Sequence, residues 1–274
     1  MNQYDKPVDG KDLKEGLKDT LSNTALDAIN KVLKLDKKDV VVKGETLTPS
    51  NGTATVELGK KDQAALLKID APAGTDVTLD ITPSNKTKLF VFDSEANIEA
   101  SFKAVKSVVV TGNGDNAITL TGSRNTIEAG SGNDTIIAGN GRDSISGGLG
   151  DDVLVGGAGK DVYSWSKATM GAGDNNVIKD GKGSQINLTD AINALKIGGK
   201  DLGDVSKGKV SVGSNIDADN SVAFVKDGGK QFLQIDLNGD GQFNAAQDFQ
   251  IEIVGTTTIK GVIYNAKTDT FDLI

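Results

Sequence analysis

The chain contains neither cysteine nor histidine in 274 residues. Without cysteine, disulfides and thiolate zinc sites cannot form. The loss of histidine as well excludes a Ser-His-Asp triad, a Cys-His nucleophile, an HExxH zinc helix and haem ligation through imidazole. Aromatic residues make up 4% of the chain and hydrophobic residues 37%, which suits a thin stacked core better than a thick globular one. No run of 18 apolar residues occurs, so no transmembrane segment is expected. The start, MNQYDKPVDGKDLKEG, lacks the basic and apolar regions of a cleaved secretory signal, so either the protein stays in the cytoplasm or its export signal lies elsewhere. The net charge is −8, and the 30 basic residues are scattered between acidic ones, so no basic face for nucleic acid is expected.

What the chain has in abundance is glycine, 34 residues, much of it on a nine-residue period between 111 and 164. The blocks read TGNGDNAIT, LTGSRNTIE, AGSGNDTII, AGNGRDSIS, GGLGDDVLV and GGAGKDVYS. The eighth place is always apolar: Ile118, Ile127, Ile136, Ile145, Leu154, Tyr163. Place six runs Asn116, Asn125, Asp134, Asp143, Asp152, Asp161. Places two and four become Gly130, Gly132, Gly139, Gly141, Gly148, Gly150, Gly157 and Gly159. A GGxGxDxUx period is a calcium-binding parallel β-solenoid signature. Each block divides into a six-residue turn and a three-residue strand whose middle side chain points inward, and two blocks complete one coil. Stacked turns then place Asp134 over Asp152 and Asp143 over Asp161. Like charges so stacked need a cation between them, and calcium takes six to eight oxygens from carboxylates and backbone carbonyls. The glycines supply those carbonyls.

This segment resembles the RTX repeats (repeats in toxin) of proteins exported by Gram-negative type I secretion. The resemblance implies a mainly β fold, a right-handed parallel β-roll holding several calcium ions between coils, with the four aspartates as ligands. The first two blocks depart from the pattern, with Asn116 and Asn125 for Asp and with Thr121 and Ser123 for glycine. Sites involving those turns are expected to be weaker or absent.

Four regions follow. Residues 1–38 form an N-terminal cap: Leu13, Leu17, Leu21, Ala25, Ala28, Ile29, Val32 and Leu33 make one apolar helical face over 11–35, expected to cover the solenoid's open end. Residues 39–110 are β-rich. The nine-residue phase runs back from Ile118 through Val109, Ala100 and Val91, which suggests metal-free coils, with a separate β-sandwich as the alternative. Residues 111–164 are the repeats, and 165–274 a β cap. There an aromatic strand at Tyr163–Trp165, an Ile178-x-Asp180 turn and an Ile186-x-Leu188 strand resemble the module that closes the roll in secreted RTX proteases and lipases.

A second metal motif is DLNGDGQFNAAQD, with Asp236, Asn238 and Asp240 at places one, three and five of an EF-hand-like loop and Gln242 offering its carbonyl. Place twelve is Gln247; Asp248 substitutes if the loop bulges, and the flanking FLQI and FQIEIV read as strands rather than helices. The ending TDTFDLI, with Asp269 and Asp272, looks like the uncleaved C-terminal export signal of RTX proteins. Together these features favour a secreted, non-enzymatic structural protein of the cell surface or matrix, with self-assembly, a cell-surface glycan and the type I secretion machinery as partners. The alternative is a polysaccharide lyase, hydrolase or adhesin on a solenoid; its candidate base is Arg124 or Arg142, both at place five of their blocks. A P-loop is ruled out by Val210, and no GxSxG elbow is present.

Overall fold

The computed structural model describes residues 7–17, 27, 29–31, 33–35, 40–180, 183–189, 195–201, 209–255, 259–267 and 270–274. Strands dominate, and they wind into a β-solenoid of about seven coils. One sheet sets Val40–Leu47, Ala64–Ile69, Leu89–Asp93, Val108–Thr111, Thr126–Glu128, Ser144–Ser146, Val162–Ser166 and Gln185–Thr189 side by side in parallel. The other does the same with Thr53–Glu57, Asp76–Thr82, Asn97–Phe102, Ala117–Leu120, Thr135–Ile137, Val153–Val155 and Asn175–Ile178. The chain passes alternately between the two sheets. Residues 40–110 therefore continue the roll and do not make a separate sandwich.

In each sheet the inward side chains stack coil upon coil. In Asp76–Thr82 the pattern alternates, with Val77, Leu79 and Ile81 buried and the polar residues between them exposed, as a strand with one core face requires. Within the repeats each strand shrinks to one core residue, and Ile118, Ile127, Ile136, Ile145, Leu154 and Tyr163 are all fully buried. The backward phase holds for Ala100, level with Ile118, and for Val109, level with Ile127. It fails at Val91: Phe90 is the residue level with Val109, because that coil is one residue longer. Val91 faces outward instead.

That outward face explains the N-terminal region. Leu13, Leu17, Ile29, Leu33 and Leu35 pack on Val40, Val42, Leu89, Val91, Val108 and Val110, the outer face of the first sheet. Among the described residues this apolar face thus lies along the flank of the roll rather than over its open end. The reason is compositional: outward positions are apolar through Val110 and turn polar at Thr126, Glu128, Ser144 and Ser146, where the cover stops. Burying each such aliphatic side chain contributes roughly 1.5–3 kcal/mol. Helix is seen at Gly10–Gly16, opened by Asp9, whose Oδ1 accepts the Lys11 N–H, and ended at Leu17, so the first helix stops well short of residue 35. Asp27, residues 29–31 and Leu33 are helical again, while Leu21, Ala25, Ala28 and Val32 lie outside the described residues. Pro7–Val8 pairs antiparallel with the first strand and closes its free edge.

At the far end the parallel ladder gives way to antiparallel strands. Thr270–Leu273 pairs with Gln185–Ile186 and with Val262–Asn265, burying Phe271 and Leu273. Phe249–Ile253, Lys230–Ile235 and Val222–Asp227 extend the second sheet. Ile178 lies level with Leu154, Ile186 with Tyr163 and Leu188 with Trp165, so the three motif fragments close the roll. Trp165 is packing: its ring meets Phe249 edge-on at 5.6 Å. The terminal Phe271, Asp272 and Leu273 belong to a sheet strand, Asp269 falls outside the described residues, and Gln185 Nε2 donates to Asp272 Oδ1 at 2.7 Å.

Candidate metal centre

The turns that join the sheets stack into two columns, one on each edge of the roll. On one edge Asn116, Asp134 and Asp152 follow each other at 18-residue steps, and on the other Asn125, Asp143 and Asp161 do the same. Each side chain reaches back one coil. Asp134 Oδ1 accepts the Asn116 N–H at 2.7 Å, Asp152 Oδ1 that of Asp134 at 3.0 Å, and Asp161 Oδ1 that of Asp143 at 2.8 Å. Asp143 Oδ1 accepts the Asn125 N–H at 2.5 Å. The stacking expected of Asp134 over Asp152 and Asp143 over Asp161 is thus a backbone-capping ladder.

The second oxygen of every one of these carboxylates is orphaned. Oδ2 of Asp134, Asp143, Asp152 and Asp161 is buried without a hydrogen-bond partner. Burial pushes the carboxyls up, to about 8 for Asp134, about 7 for Asp152 and about 6 for Asp143 and Asp161, against an ordinary 3.8. Desolvation is the main cause, and the neighbouring acids Asp152 for Asp134 and Asp161 for Asp143 add to it. A buried anion of this kind needs a cation or a proton.

The backbone complements the carboxylates. The carbonyl oxygens of Gly132 and Gly141 face the next coil at Gly150 and Gly159, where a Cβ would collide with them and φ is +114° and +150°. No three acidic side chains converge among the described residues. A cation held here would therefore combine paired carboxylates with carbonyls, the donor set of a hard ion such as calcium. The residues fit calcium, and its contribution would be to neutralise the stacked charge.

The first two blocks carry a neutral amide in place of the carboxylate, fully partnered at Asn116 but with Nδ2 buried and unpartnered at Asn125. Asn116 Oδ1 accepts the Ile98 N–H at 3.0 Å, while its Nδ2 donates to Gly114 O at 2.8 Å and so occupies the carbonyl that a cation would otherwise face. Asn125 Oδ1 accepts the Ser107 N–H at 3.2 Å. The Thr121–Ser123 turn takes another path. Its positive φ moves to Arg124 (+60°), its close approach moves to Gly122 over Ala104, and Ser123 bridges Val105 on the coil before but Asn140, not Gly141, on the coil after.

Both columns run on past the repeats, which the sequence reading missed. Asn176 Oδ1 accepts the Asp152 N–H at 3.2 Å, and Ser184 Oγ that of Asp161 at 3.1 Å. Asp180 receives the Tyr163 hydroxyl at 2.8 Å and Asp174 the Gly150 N–H at 3.1 Å. The offsets of 24 and 23 residues hide these positions from an 18-residue phase.

The EF-hand-like loop joins two antiparallel strands, Lys230–Ile235 and Phe249–Ile253. Asp236 and Asp248 are buried at its base. Asp236 accepts the Gly239 and Gly241 N–H groups at 2.7 and 3.0 Å, and Asp248 those of Leu237 and Asn244 at 3.0 and 2.7 Å. Asp248, not Gln247, is the inward residue. Asn238, Asp240 and Gln242 line the exposed rim, where Asn238 Oδ1 caps the Asp240 N–H and Asp240 Oδ1 the Gln242 N–H. Arg124 and Arg142 are exposed on one edge, Arg142 reaching Gln185 at 3.4 Å.

A family model described as the RTX calcium-binding nonapeptide repeat (4 copies) matches residues 110–145 and 128–163. The matched span coincides with the Gly-Asp turns described above. A search of curated proteins gave no match.

Proposed function

Starting from a chain whose repeats make it an RTX calcium-binding β-roll protein, we propose that it is a secreted structural protein of the cell surface or extracellular matrix that folds on calcium outside the cell. The observation that carries this reading is the set of four buried, unpartnered Oδ2 atoms. In a low-calcium cytosol they keep the roll from closing. Extracellular modules of this ligand type bind calcium with dissociation constants on the order of 10⁻⁴ to 10⁻³ M, within reach of external calcium. No enzymatic role is assigned: the aspartates of the turns are committed to capping the backbone one coil away, and the two arginines sit on open turns.

Type I export is the route this reading takes. The terminal strand, however, is also a fold element, so deleting Asp272, Leu273 and Ile274 would unseat the cap as well as remove the signal. The test is expression of the intact chain beside a type I exporter, with circular dichroism of the purified, chelated protein titrated with calcium. Secretion together with β-structure appearing at submillimolar to millimolar calcium supports the reading. A chain that stays inside, or whose spectrum ignores calcium, overturns it.

A further inference from the structure

The two edges of the roll carry opposite charge. Place five of successive blocks reads Asp115, Arg124, Asn133, Arg142, Asp151, Lys160. Since consecutive blocks turn at opposite edges, the cations all fall on one side and the acids on the other. Lys106, Arg124, Arg142 and Lys160 are exposed, follow one another coil by coil, and have no carboxylate partner among the described residues. Lys88, from the preceding turn, joins them by donating to Val105 O at 2.7 Å. Its ammonium is held below the ordinary range by burial and then by Lys106, a sign of how crowded the row is.

The opposite edge is the complement. Its turns at 48–52, 70–75, 94–96, 112–116, 129–134 and 147–152 contain no Lys or Arg, and the first cation on this edge is Lys167 in the turn beyond them. Exposed there are Asp70, Glu95, Asp115 and Asp151. The place-five side chains are ordered into a ladder of their own: Asn97 accepts the Asp115 N–H at 2.8 Å, Asp115 that of Asn133 at 2.7 Å, Asn133 that of Asp151 at 2.8 Å and Asp151 that of Asn175 at 2.7 Å. Both edges step at the strand spacing, about 4.8 Å per coil. They therefore match each other in sign and in pitch, with Asn133 as one neutral step in the acidic row.

We propose that the basic edge of one copy docks on the acidic edge of a second copy of this chain, so that rolls associate side by side. The occupant is a second copy because the complementary row, of the same period, stands on the far edge of the same molecule. Such a contact joins two different surfaces and leaves a free edge at each end, so it propagates into an open row. Each exposed ion pair is weak and salt-sensitive, and the regular spacing lets several form together. The inference rests on the structural, calcium-folded reading above.

The experiment is sedimentation of the calcium-loaded full chain across concentration and salt. The native chain is expected to associate at low salt and to dissociate as salt rises. A variant with Lys106→Glu, Arg124→Glu, Arg142→Glu and Lys160→Glu has two acidic edges and should be monomeric. A variant with Asp70→Lys, Glu95→Lys, Asp115→Lys and Asp151→Lys has two basic edges and should not form the native row. An equimolar mixture of the two should associate. If the second variant fails to fold, the milder pair Arg124→Glu, Arg142→Glu should still weaken native association at least tenfold. A native chain that folds on calcium yet stays monomeric at low salt overturns the inference while leaving the calcium reading intact. So does a native chain that stays monomeric but binds a polyuronate through the same cations. Reversed variants that associate as the native chain does also refute it.

Discussion

Asp152 Oδ1 accepts the backbone N–H of Asp134 at 3.0 Å while Asp152 Oδ2 is buried with no partner. One carboxylate thus does two things. Its first oxygen locks a coil to the one before it, and its second leaves a charge that the fold alone does not satisfy. The locking half survives replacement by asparagine, as Asn116 shows by capping Ile98 with the same geometry. The charge does not.

Asp152→Asn should therefore act with opposite signs in the two states of the protein. It keeps the cap and removes a buried anion, so the chelated chain gains stability, while the calcium midpoint rises roughly tenfold, about 1.4 kcal/mol. Asp152→Ala loses both functions and should be worse in calcium and in chelator, whereas Asn116→Ala leaves the calcium midpoint near that of the native chain. Calcium titration, urea unfolding in saturating calcium and the β-structure retained in chelator check all three.

The pH dependence of the metal-free roll follows from the raised carboxyls. Between the unfolded value of 3.8 and the folded values of about 6 to 8, the folded chain binds more protons than the unfolded one. Stability from this source is fully present below pH 3.8 and is lost as pH rises, first through Asp143 and Asp161 and then through Asp152 and Asp134. The chelated chain should hold less β-structure at pH 8 than at pH 5. Calcium should bind more tightly at pH 8 than at pH 5, since it competes with fewer protons. Circular dichroism in chelator and calcium titrations at the two pH values read both trends, and a flat profile would refute the account.

Gly150→Ala places a Cβ against Gly132 O at φ +114°. At such a position the left-handed backbone and the clash add, costing on the order of 1–3 kcal/mol. Gly74→Ala has φ +70° but nothing within 4 Å of the added carbon, so it carries the backbone strain alone. Thermal unfolding in saturating calcium should rank Gly150→Ala as the more damaging.

Phe271 is fully buried in the terminal strand, beside Tyr264. Phe271→Ala should cost about 3–5 kcal/mol, the range for a large aromatic removed from a core. The chain has one tryptophan, Trp165, which packs at this end against Phe249, so its fluorescence should report early loss of the cap in urea. A variant with an unchanged midpoint would mean that the strand is not part of the cooperative unit.

The sequence by itself determined the repeat: the nine-residue period, the inward Ile118 to Tyr163 series, the place-six ladder and the uncharged asparagines at its first two members. These were legible because every link between them is local or a fixed multiple of nine residues. The strands around the EF-hand-like loop and the closing motifs at Ile178 and Ile186 were legible for the same reason, through alternation. What only the tertiary structure decided depends on distances the period does not set. One extra residue in the coil before Val109 turns Val91 outward, and with it a whole apolar face that draws the N-terminal leucines to the flank. Longer coils beyond Asp161 carry the capping column on to Asn176 and Ser184, out of phase. Charges that look evenly mixed along the chain separate onto two edges, because winding sends alternate nine-residue blocks to opposite sides and places each residue beside one about eighteen positions away.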